Sequence, residues 1–238
     1  MFNGIESSPG LQEPGEENPQ EKISLGFGTE TFERISDEKR DRIFTTAISE
    51  FAEHGYSAAS INTIARKAGV SIGGMYKYFD SKEDLFLAMV GKGLELLNRI
   101  ILELGSLDEP VFEVIDRLLH LTVRYAKKHA DLSKLYLLMT TEELAPLADR
   151  LSEKMETSFH DFYLQLLSAA KERGEIKEGA DINLAAYMID NLVIMLQLSY
   201  SVTYYRRRLE KYLGLEAAED DEALCLGLLE HIRNSLAA

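Results

Sequence analysis

The sequence predicts an all-α protein, and three observations carry that reading. Apolar residues recur at i, i+3, i+4 and i+7 through most of the chain. Gly and Pro interrupt those runs at helix-length intervals, and no segment shows the apolar–polar alternation of a strand. Length and apolar content agree, because 238 residues with 45% hydrophobic side chains can build more than one packed core.

Taken in order, residues 1–35 are Glu-, Pro- and Gly-rich and read as a disordered or loosely attached acidic tail. Ser36 opens the first helix, where Ile43, Phe44, Ala47, Ile48 and Phe51 form one apolar stripe ending near His54 and Gly55. Ser60 caps a second helix with Ile61, Ile64 and Ala65 on its buried face, and Gly69 stops it. Val70 plugs that turn, and Ser71 caps a short third helix carrying Met75, Tyr76, Tyr78 and Phe79. Two short helices joined by a tight Gly-containing turn form a helix-turn-helix, whose second helix is the usual reader of a DNA major groove.

Asp80 and Ser81 open a long helix with Glu83 and Asp84 at its positive dipole end. It runs through Met89, Leu94, Leu97, Ile100 and Ile101 to Leu104 and Gly105. Further helices are expected at about 109–129, 131–140, 146–173, 181–212 and 219–236, punctuated by Pro110, Pro146, Gly174, Gly179 and Gly214. The expected domains are therefore a tail at 1–35, a three-helix domain at 36–84 and a larger helical domain at 85–238.

The net charge of −14 is unevenly spread. Residues 1–35 hold two basic and seven acidic groups, 36–84 hold seven and eight, and 85–238 hold 17 and 25. The helix-turn-helix is thus nearly neutral on an acidic body, which argues against a nonspecific coat on nucleic acid and for a small local contact patch. No apolar stretch reads as a membrane span, and the first residues lack the basic and apolar regions of a signal peptide. A cytoplasmic protein with no membrane partner is expected. Cys225 is the only cysteine and sits in an apolar helical run, so no Cys-cluster metal site is expected and packing is its expected role.

Residues 64–86 resemble the DNA-binding signature of the TetR (tetracycline-repressor-like) family. The matching pieces are Ile64-Ala65, Ala68-Gly69-Val70-Ser71, Gly73, Tyr76, Tyr78-Phe79, Ser81-Lys82 and Leu85-Phe86, with Ala47, Phe51, Gly55 and Tyr56 upstream. The resemblance implies a DNA-binding transcriptional regulator, most often a repressor, working as a homodimer on a palindromic operator. Ser60 and Ser71, at helix N-termini, are expected to hold phosphates. Tyr76 and Tyr78 offer hydroxyls and rings to the backbone, Lys77 a base or phosphate contact, and Lys82 the main phosphate contact. The chain departs from the family pattern at Ile72 and Gly74, on either side of Gly73, where long polar and hydroxyl side chains are usual. Base reading then rests on Ile72 against thymine methyls, on Lys77 and on DNA shape.

The larger half reads as a ligand-sensing and dimerising domain. Helix 181–212 is apolar nearly all round, so it must be buried on several sides. Leu192, Met195, Leu196, Leu198 and Val202, with Leu224 and Leu228 from the last helix, are the expected dimer contacts, following the four-helix arrangement that the resemblance implies. Polar and aromatic residues near the apolar stripes supply a pocket inventory: Asn98, His120, Arg124, Tyr125 and Tyr136. Met139, Phe159, His160, Tyr163, Asn191 and Tyr204 complete it, and point to a greasy or aromatic effector. Arg124 can meet an anionic ligand or pair with Asp116 or Glu142.

No Gly-rich phosphate loop, His-Glu-x-x-His motif or nucleophile–base pair is present, so neither an enzyme nor a cofactor is expected. Two other readings stay open at this level. One is a DNA-bound protein whose helical half recruits a protein partner, and the other is a helical ligand carrier with a non-functional reader.

Overall fold

Side-chain caps set the helix starts. The computed structural model describes residues 28–238, apart from the side chains of 97 and 149–158. Helix α1 is Glu30–Glu33, α2 Asp37–Ala58, α3 Ile61–Lys67, α4 Ile72–Tyr78, α5 Lys82–Glu103 and α6 Val111–Lys128. Then come α7 Ala130–Met139, a 3-10 turn Glu142–Leu144, α8 Ala145–Glu172, α9 Ile182–Ser201, α10 Thr203–Leu213, α11 Leu215–Glu219 and α12 Asp221–Leu236. The Ser36, Ser60, Ser71 and Ser81 hydroxyls each accept from the backbone N–H three residues on, as do the Asp181 and Asp220 carboxylates. Gly69, at φ 69°, makes the turn between α3 and α4, a left-handed backbone that a side chain disfavours. Among the described residues there is no strand, only one antiparallel bridge between Ile176 and Ala237.

The helices enclose two cores. The first gathers Ile43, Phe51, Ile64, Met75, Phe79, Phe86 and Met89, and also takes in Leu135, Met139, Leu144 and Leu147. The second packs α6 against α8, α9 and α12 through Leu118, Leu119, Tyr163, Leu167, Ile189, Val193 and Cys225. Helix α7 therefore packs with the N-terminal core although it lies far along the chain.

Three expectations change. The tail over residues 1–27 lies outside the described residues, but 28–35 are ordered. Phe32 is only 2% exposed and packs on Phe44, Tyr78 and Phe79 with ring centroids 5.4, 5.8 and 4.6 Å away. The acidic composition concealed this single aromatic anchor. Helix 181–212 is two helices, because Val202 is extended (φ −126°, ψ 122°) and α10 folds back on α9. Finally, α9 is long and apolar enough to cross a membrane by length and composition, with mean hydropathy 1.3 over its best window. Part of its apolar surface packs on α6, α7, α8 and α10, while Leu184, Tyr187, Met188 and Met195 stay exposed.

Candidate nucleic-acid interface and the cavity behind it

Helix α4 presents Ile72 and Tyr76 outward, 50% and 52% exposed, with Lys77 beside them. Gly73 has open space where a Cβ would stand, whereas a Cβ on Gly74 would come within 3.0 Å of the Ser71 hydroxyl and of Val70. Gly74 thus keeps room for the cap that starts α4. Asn62, Thr63, Arg66, Val70, Ser71 and Ile72 line a shallow depression between α3 and α4.

Behind this face the reader is braced by charge and by chain. The Glu50 carboxylate, almost fully buried, accepts from Lys67 Nζ at 3.1 Å and from the Ser60 N–H at 3.3 Å. Burial pushes its pKa up, but the Lys67 ammonium and the Ser60 amide outweigh that and hold it below the ordinary glutamate value. At the other end of α4, the Thr29 N–H donates to the Tyr78 carbonyl at 3.0 Å and the Thr29 hydroxyl to the Lys77 carbonyl at 2.7 Å. These are carbonyls that the end of a helix leaves without intrahelical partners.

Two expected contacts are redirected by this packing. Tyr78 is buried, its ring in the aromatic cluster, and its hydroxyl accepts from Lys39 Nζ at 2.7 Å. Tyr78 is therefore a core residue, and the cation at that position is Lys39. The Lys82 ammonium donates to the Ser57 and Ala59 carbonyls at 3.0 and 3.2 Å and lies 4.8 Å from the Tyr56 ring centre. It ties the end of α2 to the start of α5. The Ser60 and Ser71 hydroxyls cap their own helices, leaving α4's outer surface with Ile72, Gly73, Tyr76 and Lys77.

Between the two cores lies a cavity of about 300 Å³, walled chiefly by apolar groups. Met89, Gly93 and Leu94 of α5 form one side, Leu118 and Thr122 of α6 another, and Leu132, Leu135 and Tyr136 of α7 a third. Phe159 and Tyr163 of α8 and Ala186, Asp190 and Val193 of α9 close it. Burial, with the Lys128 charge adding to it, holds the pKa of His129 in this wall below the ordinary histidine value.

Residues 43–89 match the family described as bacterial regulatory proteins, tetR family. An HTH-type transcriptional regulator of Bacillus subtilis strain 168, YvdT, is 31% identical over 159 residues, 65% of this chain and 78% of that protein. The chain belongs to the tetR family. The fatty acid metabolism regulator protein of the same organism is 29% identical over 152 residues, covering 62% of this chain and 76% of that one. The structure of B. subtilis FadR in complex with stearoyl-CoA shares the fold at TM-score 0.62 and 22% identity, over 81% of this chain and 96% of that one. Both relatives are named as regulators, and among the described residues no cluster of His, Cys, Asp and Glu could hold a metal.

Within this tetR-family chain, the cavity takes Tyr125, Tyr136, Phe159, His160 and Tyr163 from the expected pocket residues. The others lie elsewhere. Arg124 pairs with Glu103 on the surface, and not with Asp116 or Glu142. Met139 is buried in the N-terminal core, and Asn98 is half-buried on α5 away from the wall. Asn191 donates to its own helix at the Tyr187 carbonyl (2.7 Å), and Tyr204 is exposed on α10. Sequence reasoning missed Ser133 and Gln197, which hydrogen-bond at 3.0 Å, together with His129, Thr122 and Asp190. Their only signal was a polar residue within an otherwise apolar helical face.

His120 sits at the seam between α6 and α12, its Nδ1 2.9 Å from the Asp116 carbonyl and its Nε2 3.0 Å from Glu222. The Asp116 carbonyl raises its pKa most, burial opposes this, and Glu222 adds to the rise. The contribution of a raised histidine is full below its unfolded value of about 6.5 and is lost as pH rises through the folded value. Taking the protein from pH 6 to pH 8 should therefore loosen α12 in the wild type more than in His120→Gln. Amide exchange in α12 reads this directly, and an identical pH response in both proteins would count against it.

The expected dimer residues also separate. Leu196 and Leu198 are buried within the protomer, Val202 forms the α9–α10 break, and Leu192, Leu224 and Leu228 pack half-buried on the second core. Met195 alone of that set is exposed, and it shares that face of α9 with Leu184 and Met188. Helical phase explains the division: residues 184, 188 and 195 fall on one line of α9, away from buried Ala186, Ile189, Val193 and Leu196.

Proposed function

We propose that this protein is a homodimeric, ligand-responsive transcriptional repressor that reads a palindromic operator with α4 and leaves it when an effector fills the cavity. It acts in the cytoplasm, with α9 and α12 supplying the apolar faces of the dimer. One observation carries the reading: α5 and α7 each wall the cavity and each contribute to the core beneath the reader, with Leu135 and Met89 in both. A ligand pressing on Leu132, Leu135 and Tyr136 acts on a helix that also packs against α2. It needs only to bind better when the two readers are wrongly spaced, and the population shifts by that difference in affinity. The apolar wall, the fatty acid metabolism relative and the stearoyl-CoA complex of the fold neighbour together support an effector with an apolar chain.

The test is a mobility shift on the DNA flanking this protein's own coding sequence, at two salt concentrations. A discrete complex that weakens as salt rises is expected. Lys77→Ala isolates the charge better than Lys82→Ala, because Lys77 forms no ion pair among the described residues whereas Lys82 also secures α2. Loss of one phosphate contact should lower the slope of log affinity against log salt by about one. A folded dimer that shifts neither this DNA nor any member of a genomic fragment pool would remove the DNA-reading part of the proposal.

A further inference from the structure

Gln197 of α9 and Ser133 of α7 meet at one end of the cavity, where Gln197 Nε2 donates to the Ser133 hydroxyl oxygen at 3.0 Å. Ser133 is only 3% exposed, so this bond turns the Gln197 amide toward α7 and occupies its nitrogen end. The carbonyl end is left over. No group among the described residues donates to Gln197 Oε1, yet that oxygen is not sealed from solvent. The sealed, unpaired side-chain atoms among those residues belong to Arg40, Asp116 and Tyr163. His129 lines the cavity one turn ahead of Ser133, and its ring nitrogens are unpaired and unsealed in the same sense. Two neighbouring hydroxyls are already spent, Thr122 on the Leu118 carbonyl at 2.8 Å and Tyr125 on the Glu103 carboxylate. In a wall that is chiefly apolar, an open amide acceptor gains most from a ligand that brings a donor.

We infer that this end of the cavity selects a ligand whose apolar skeleton carries a hydroxyl, which donates to Gln197 Oε1. A hydroxyl supplies the proton that the amide carbonyl lacks. Ketone, ester and ether oxygens only accept, and would face that carbonyl oxygen to oxygen. His129 completes the subsite, because an uncharged imidazole both donates and accepts, and burial favours that form. The Gln197–Ser133 bond ties α9 to α7, and α7 packs on α2, so the hydroxyl is recognised on the helix through which occupancy reaches the reader. The inference rests on the cavity being the ligand site and adds which polar group that site accepts.

Octanol and octanone share one chain length and differ in whether the oxygen carries a proton, so isothermal titration of both on the full chain isolates the donor. The wild type is expected to bind octanol about ten-fold more tightly than octanone, the worth of roughly one hydrogen bond. Gln197→Met keeps the side chain's length and removes the amide. It should lose about ten-fold for octanol and nothing for octanone. Ser133→Ala leaves the amide present but unanchored, so the preference for octanol should shrink without disappearing. Both variants break the tie between α9 and α7, which separates recognition from packing. Equal losses for the two probes in both variants would mark loosened packing and overturn the inference. Octanone bound as tightly as octanol, or octanol binding unchanged by Gln197→Met, overturns hydroxyl selection but leaves the cavity as a ligand site. Failure of both probes to bind the wild type removes the ligand-site reading, and hydroxyl selection with it.

Discussion

Phe32→Ala is expected to release α1 from the reader and to weaken operator binding at least ten-fold. Truncating a fully buried Phe costs roughly 3–5 kcal/mol when the site cannot collapse. Here the loss is limited by an escape, because a helix of four residues can detach once its anchor is gone. Detachment frees the Lys77 and Tyr78 carbonyls from Thr29 and uncovers the Phe44–Phe79 side of the core. The C-terminal turn of α4 should then fray, and that turn carries Tyr76 and Lys77. Faster amide exchange confined to α1 and α4, together with weaker binding, is the expected pattern. Wild-type exchange in α4 with unchanged affinity would show that the brace is dispensable. Thr29→Ala, which keeps Phe32, should give the same pattern at smaller amplitude.

The double substitution Leu184→Glu with Met188→Glu is expected to yield a folded monomer whose operator affinity is lower by at least about 100-fold. Both side chains are more than half exposed in the protomer, at 57% and 53%, so neither supports its core. Two adjacent carboxylates on each of two apposed α9 helices would place like charges in an apolar contact. A monomer reads only one half-site and forfeits the effective concentration that links two readers, a factor of about 10²–10⁴. Sedimentation should show the monomer, and circular dichroism an unchanged helix content. A double variant that stays dimeric would place the interface on another face. Leu196→Ala makes the contrast: that residue is buried within the protomer, so it should cost stability, about 2–5 kcal/mol, without changing oligomeric state.

The reader was legible because its signals are local. Ser60, Gly69, Ser71 and Ser81 act on hydrogen bonds three or four residues away, and Ile64, Met75 and Phe79 repeat at a helical period that can be counted along the chain. Tyr78 was misplaced for the complementary reason. It and Tyr76 look alike in sequence, and only Lys39 and Phe32, brought from 39 and 46 positions away, decide which one is covered. The cavity shows the same division. Tyr125 and Tyr163 lie on the side of their helices that the cavity uses, whereas Arg124 and His120 meet Glu103 and Glu222 first.

By itself, then, the sequence determined the all-α class, the caps and turns of the helix-turn-helix and the family, all of which depend on residues near one another in the chain, but not the α1 helix or the break at Val202. Tertiary structure alone decided that α1 holds the reader's last turn, that α7 joins the reader's core while walling the cavity, and which line of α9 remains outside. Apolar periodicity says that a face must be covered, but it does not say by which partner. That choice is made by packing between helices that the chain brings together from a distance.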